Sequence, residues 1–196
     1  DYANRLWSMI KRNTARPTRL VCYTDDMTGL DPEIEARPLP PIVLPERVSK
    51  KPWRKISLWA PTLPGLEGDV LFLDLDLVIT GSLDAFFDYQ PEKTFCVIEN
   101  WTQMGSGIGN TSVYRFRVGA HAYLYDALQA DADAILGRFP NSQTYISRTI
   151  KEKTFCNSVG APTTPFHAVH SAADIARALS DLGTPAVLKT ARMGYD

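Results

Sequence analysis

Two aspartates, Asp74 and Asp76, follow the apolar run Val70–Leu73 in the segment VLFLDLDLVITGSLDAFF. An extended strand sends alternate side chains to one face, so continuing it through both residues would place two carboxylates in one site. Like charges so close repel each other unless a cation or a shared proton offsets them. Their hard oxygens suit Mn2+ or Mg2+, and an ion held there could clamp a diphosphate and neutralise it as it departs. The carboxyl end of a buried strand is also where open α/β sheets take their ligands. The plainer reading is a pair of turn-capping aspartates, and spacing alone leaves both readings open.

The elements that must carry this pair follow from periodicity. Residues 1–13 form a helical pattern with Leu6, Met9 and Ile10 on one face, and Thr18–Tyr23 is a short strand. Prolines 32, 38, 40, 41, 45 and 52 remove amide donors from 31–52, which predicts a wandering loop with room for an edge strand. Lys55–Ala60 is a helix or a short apolar segment. The unbroken VLFL predicts a strand covered on both faces in a parallel or mixed sheet. Thr94–Ile98 and Thr111–Phe116 are further strands, flanking the glycine-rich MGSGIGN, and Ala120–Leu136 is one helix that includes His121 as a packed or exposed residue. Strands alternating with helices predict an α/β layer fold.

From Lys151 the texture changes, and no internal repeat is expected to link the two parts. Thr154–Val159 fits the end of a helix stopped at Gly160, and Ser171–Asp174 fits a capping box opening a helix that Gly183 closes. Pro185–Thr190 is a strand. No Gly/Ser linker marks the join near Ile150–Lys151.

Composition excludes other classes. The chain has 196 residues, 44% of them hydrophobic, enough for one sizeable core or two small ones. A formal charge of -1 gives no global field to attract nucleic acid. No apolar run approaches the roughly 18 residues of a membrane span. Cys22, Cys96 and Cys156 form neither a disulfide framework nor a CxxC metal spacing, which fits a reducing, cytoplasmic setting. The start at Asp1 and the stop at Asp196 are those expected of a fragment lacking both flanks.

FLDLDLVITGSLDAFF resembles the DxD segment of GT-A fold glycosyltransferases, family 8 in particular. The resemblance spans roughly residues 1–150 and extends to YANRLWSMIKRN, LVCYTDD, WRKISLW, GNTSVYRF and NSQTYIS. It implies a mixed sheet with helices on both faces and transfer of a sugar from a nucleoside-diphosphate donor to an acceptor. Asp74 and Asp76 would hold the divalent metal, Lys55 would lie near the donor, and Asn110 and Ser112 would approach the donor sugar. Gln143 would stand near the reacting centre, although the aspartate that precedes it in the family is replaced by Asn141 or Ser142.

Residues 151–196 resemble another family, N5-carboxyaminoimidazole ribonucleotide synthase, an ATP-grasp enzyme of purine biosynthesis. The likeness is carried in order by EKTF, GAPTTPF, SAAD and PAVLKTARMGYD. It implies a small α/β fragment in which Lys189 contacts ATP phosphates. A strand-borne lysine beside a glycine-containing turn is a chemically sound phosphate contact. The sequence therefore predicts two domains, 1–150 and 151–196, joined as a fusion of unrelated truncated enzymes that could be without activity.

Overall fold

The computed structural model describes residues 2–49, 52–156 and 171–182. The chain divides into two compact units, Asp1–Gly160 and Ala161–Asp196. In the first, α1 (Tyr2–Arg12) buries Ala3, Leu6, Trp7 and Ile10, and Lys11 and Arg12 at its end complement the helix dipole. Short strands β1 (Val21–Tyr23) and β2 (Glu35–Arg37) pair in parallel, so the proline-dense loop does hold a strand. A single turn, α2 (Glu46–Ser49), precedes a 3₁₀ helix over Pro52–Trp59.

The main sheet contains β3 (Asp69–Leu73), β4 (Phe95–Glu99), β5 (Gly109–Arg117) and β6 (Thr154–Phe155), in the order β3-β5-β4-β6. The β3/β5 and β5/β4 pairs are antiparallel and β4/β6 is parallel, so the fold is mixed α/β. The unbroken apolar character of β3 has a direct cause. Val70 and Phe72 pack against the core built around Trp59, Tyr114 and Phe116, whereas Leu71 and Leu73 pack against the core of α1. Gly109 opens β5 where a Cβ would meet the Val97 side chain at 2.6 Å, beside a register shift between Val97 and Ile98.

Three expectations are corrected. The helix foreseen over 120–136 is two helices, α4 (Tyr123–Ala130) and α5 (Ala132–Arg138), preceded by α3 (Ala85–Asp88) earlier in the chain. They are separated by Asp131, whose carboxylate accepts a hydrogen bond from the Ala134 amide at 2.9 Å and so caps the second helix. Residues 154 and 155 are strand, not helix, because β4 offers a free edge there and the Cys156 amide donates to the Val97 carbonyl at 3.1 Å. The parts are also linked by a repeat. The pentapeptide Glu-Lys-Thr-Phe-Cys occurs at 92–96 and again at 152–156, and its two copies lie side by side with Cys96 opposite Thr154.

Helix α6 (Ser142–Thr149) starts at Asn141, whose side chain accepts from the Thr144 amide at 2.8 Å. In the second unit α7 (Ala172–Leu182) opens as foreseen, with Asp174 accepting from the Ser171 amide at 2.8 Å and hydroxyl at 3.0 Å. Among the described residues no helix is long and apolar enough to cross a membrane.

Arg115 of β5 is 1% exposed. Its guanidinium donates to the carbonyls of Phe86, Phe87, Tyr89, Gln90 and Lys93, at 2.7 to 3.3 Å. These carbonyls belong to α3 and the turn behind it. Arg115→Met fills the space but leaves several of them buried without a donor. We expect urea unfolding to show a loss of about 3–4 kcal/mol. A loss under about 1 kcal/mol would show that the turn does not depend on this group.

Candidate functional site

The pairing of β3 ends at Leu73, and the Asp74 amide makes one more bond, to the Ser112 carbonyl at 2.9 Å. Leu75 and Asp76 then form a turn. The extended strand on which the spacing argument relies therefore ends before Asp76. The turn sorts them by environment instead, with Asp74 buried and Asp76 exposed.

Lys55, on the 3₁₀ helix, reaches Asp74 Oδ1 with its Nζ at 2.6 Å. The same ammonium sits 5.3 Å from the Phe72 ring centroid. Phe72 stacks on Tyr114 at 4.9 Å, and Tyr114 stacks on Trp59 at 5.6 Å with rings 8° from parallel. This aromatic wall keeps water from one side of the ion pair, which strengthens the attraction between the charges. It also carries a cost. The Tyr114 hydroxyl is buried without a hydrogen-bond partner, and burial together with the Asp74 charge pushes its pKa far above that of an ordinary phenol.

The other predicted residues lie along the start of β5. Asn110 Oδ1 accepts from the Ser112 amide at 2.9 Å, and Ser112 supplies the carbonyl that holds Asp74. Gln143, on α6, accepts from the Thr111 amide with its Oε1 at 3.0 Å. A chain of contacts thus joins Lys55, Asp74, Ser112 and Asn110, and Gln143 fastens α6 to the residue between the last two. Lys189 lies outside the described residues. Asp84, also in the acidic segment, is engaged in packing: it accepts from the Thr14 hydroxyl at 2.6 Å and the Ala15 amide at 2.9 Å, which hold its pKa below the usual carboxylate range.

Among the described residues no group of three or more His, Cys, Asp or Glu side chains could hold a metal ion. Mg2+ is commonly bound through one or two protein carboxylates, with phosphate oxygens and water completing its shell; Asp74 and Asp76 are two such groups, one buried and one exposed. They do not form a cage of their own. Asp74 already has the Lys55 ammonium beside it, so a cation would join an existing charge arrangement.

Sequence reasoning missed the aromatic wall. Its signal was present in the alternation of Phe72 and Val70 on one face of β3 and of Tyr114 and Phe116 on one face of β5. A cavity of about 440 Å³ was also missed, lined by Thr94, His121, Tyr123, Lys151 and Glu152 among others. His121 packs edge-on against Trp59 and Phe95, with Nε2 3.0 Å from the Thr94 hydroxyl and Nδ1 3.2 Å from that of Tyr123. Burial lowers its pKa, and the Glu152 charge opposes this in part.

No protein-family profile matches the chain, and no solved structure matches it. A stretch of 47 residues is 45% identical to the "Bifunctional purine synthesis protein purC/E" of Dictyostelium discoideum. That stretch is 24% of this chain and 5% of the Dictyostelium protein.

Two outcomes follow from this geometry. Lys55→Met leaves the buried Asp74 carboxylate without its ammonium and lowers stability by about 2–3 kcal/mol, whereas adding Asp74→Asn recovers most of the loss, as a double-mutant cycle in urea would report. His121 has a folded pKa below its ordinary value of about 6.5, so the unfolded chain binds its proton first and stability falls as pH drops through about 6.5. His121→Gln should flatten that part of the melting-temperature profile, and an unchanged slope would assign it to other groups.

Proposed function

We propose that this chain joins parts of two nucleotide-handling enzymes. The carboxyl-terminal reading has the support of a comparison: residues 151–196 are a fragment of an ATP-dependent carboxyaminoimidazole ribonucleotide synthase of purine biosynthesis. The observation that carries it is the 45% identity to a purine synthesis protein, over a length close to that of this segment. In this reading Lys189 offers a positive charge to ATP phosphates, and the Gly-Tyr-Asp that follows lets backbone amides approach them.

The second reading belongs to the first unit and rests on the surroundings of Asp74. A carboxylate held at the end of β3, with a lysine at 2.6 Å and an exposed aspartate two residues on, suits a nucleoside-diphosphate sugar and its divalent ion. The fold in this reading is of the GT-A type, over residues 1–150. Asp74 and Asp76 would hold Mn2+ or Mg2+, which supplies positive charge to the departing diphosphate when bound. Lys55 fixes the position of Asp74 and adds charge beside the phosphates. Asn110 and Ser112 present polar atoms where β5 passes the site, and Gln143 keeps α6 against that strand, near where an acceptor would enter. A cytoplasmic setting suits both substrates.

Calorimetry on the full chain separates these readings. Binding of ATP with Mg2+ that Lys189→Ala weakens at least tenfold supports the purine-synthesis fragment. Binding of uridine diphosphate glucose with Mn2+ that Asp74→Asn weakens at least tenfold, about 1.4 kcal/mol, supports sugar transfer. No heat in either titration overturns both and leaves a fused chain without activity.

A further inference from the structure

We infer that Cys96 and Cys156 form a reversible intramolecular disulfide, a modification site created where the two copies of the Glu-Lys-Thr-Phe-Cys segment meet. The inference rests on the position of the sulfurs within the sheet, and it stands apart from both functional readings. Cys96 lies in β4 opposite Thr154, and Cys156 is two residues beyond Thr154. Side chains two apart on a strand share a face, so both thiols project to the same side of the sheet. The Cys156 amide holds its end of that register by donating to the Val97 carbonyl at 3.1 Å. The sulfurs lie 2.7 Å apart and share a thiol hydrogen bond, inside the ~3.5–4.0 Å at which non-bonded heavy atoms ordinarily settle.

Their surroundings favour reaction over inertness. The pair sits in a small apolar cluster with Phe86, and burial alone would keep both thiols protonated. Arg115, directly opposite Cys96 on β5, places a buried guanidinium beside them. The contact with Cys156, and secondarily the charge of Arg115, draw the pKa of Cys96 down, while the same contact and burial push that of Cys156 up. Either sulfur can attack while the other resolves, because the contact between them is shared.

The oxidant we assign is a small peroxide, because both sulfurs are buried and a bulky disulfide could not reach them. The thiolate of one cysteine attacks one peroxide oxygen, giving a sulfenic acid and, with one proton, the first water. The sulfur of the other cysteine then displaces the sulfenic oxygen, which leaves with two protons as the second water, and the S–S bond forms. Two thiols lose two electrons and two protons, and one hydrogen peroxide takes them up. In a reducing compartment the thiol form is the resting state and the bond is transient.

The test uses the full chain. It is treated with hydrogen peroxide, unfolded, alkylated and digested with trypsin, with and without a later reducing step. The expected result is a fall from three alkylatable thiols to one, and a linked species joining peptides 94–115 and 154–177 that reduction separates. Cys22→Ser, which lies outside the pair, should form the same link. The oxidised chain should melt on the order of 5–10 °C above the reduced one. Cys156→Ser should abolish the shift, and should that variant not fold, the linked peptide from the unaltered chain decides alone. Three thiols retained, a link through Cys22, a link between two chains, or separate over-oxidation of Cys96 and Cys156 would each overturn the assignment.

Discussion

A buried guanidinium with no carboxylate paired to it among the described residues sets the terms of the first unit. Arg115 sits on β5, an inner strand of the main sheet, and its two terminal nitrogens donate to main-chain carbonyls of the segment 86–93, while its buried Nε has no hydrogen-bond partner. Those carbonyls would otherwise be unpaired at the end of a one-turn helix. The arrangement exchanges two problems for one solution: a helix end that needs donors and a cation that needs acceptors. It fixes where the chain re-enters the sheet as β4, and so fixes the strand against which β6 can lie.

The Lys55–Asp74 pair is built on a different principle. Its charges are opposite and adjacent, and the aromatic wall of Phe72, Tyr114 and Trp59 removes the water that would weaken them. The same wall leaves the Tyr114 hydroxyl unpaired, a stability cost borne at the place where the polar residues gather. Chemistry and packing compete there over three aromatic rings, and the polar side of the site is drawn from the ends of strands, where main-chain pairing has run out.

How much of this was legible in the sequence depended on range. α1, the strands around VLFL and TSVYRF, and the capping box at Ser171 were readable because periodicity and capping are local. The break at Asp131 was missed because a cap in mid-pattern looks like one polar residue on a helix face. The turn at Leu75 was missed because nothing in Asp-Leu-Asp distinguishes an extended run from one that bends once pairing ends. Lys55 could be placed near a donor only by resemblance, and its contact with Asp74 was not foreseen, since the two are nineteen positions apart in the chain and a 3₁₀ helix brings them together. The two cysteines looked unrelated for the same reason: they are sixty positions apart, and a two-residue parallel strand closes that distance.

The repeated pentapeptide bears on how the chain acquires its topology. The earlier copy fills the inner slot beside β5, where Val97, Ile98 and Glu99 continue its pairing, whereas the later copy is followed in sequence by Asn157 and Ser158 and lies at the edge. Ribosomes extend a chain at about 5–20 residues per second, whereas a hairpin closes in about 1–10 μs. Once β5 has emerged, the earlier copy can find it by a short antiparallel connection seconds before the later copy has been made. Vectorial translation thereby reinforces a choice that the residues following each pentapeptide already favour. Refolding from denaturant presents both copies to β5 at once, and the choice between them then falls to loop-closure entropy, which favours the nearer.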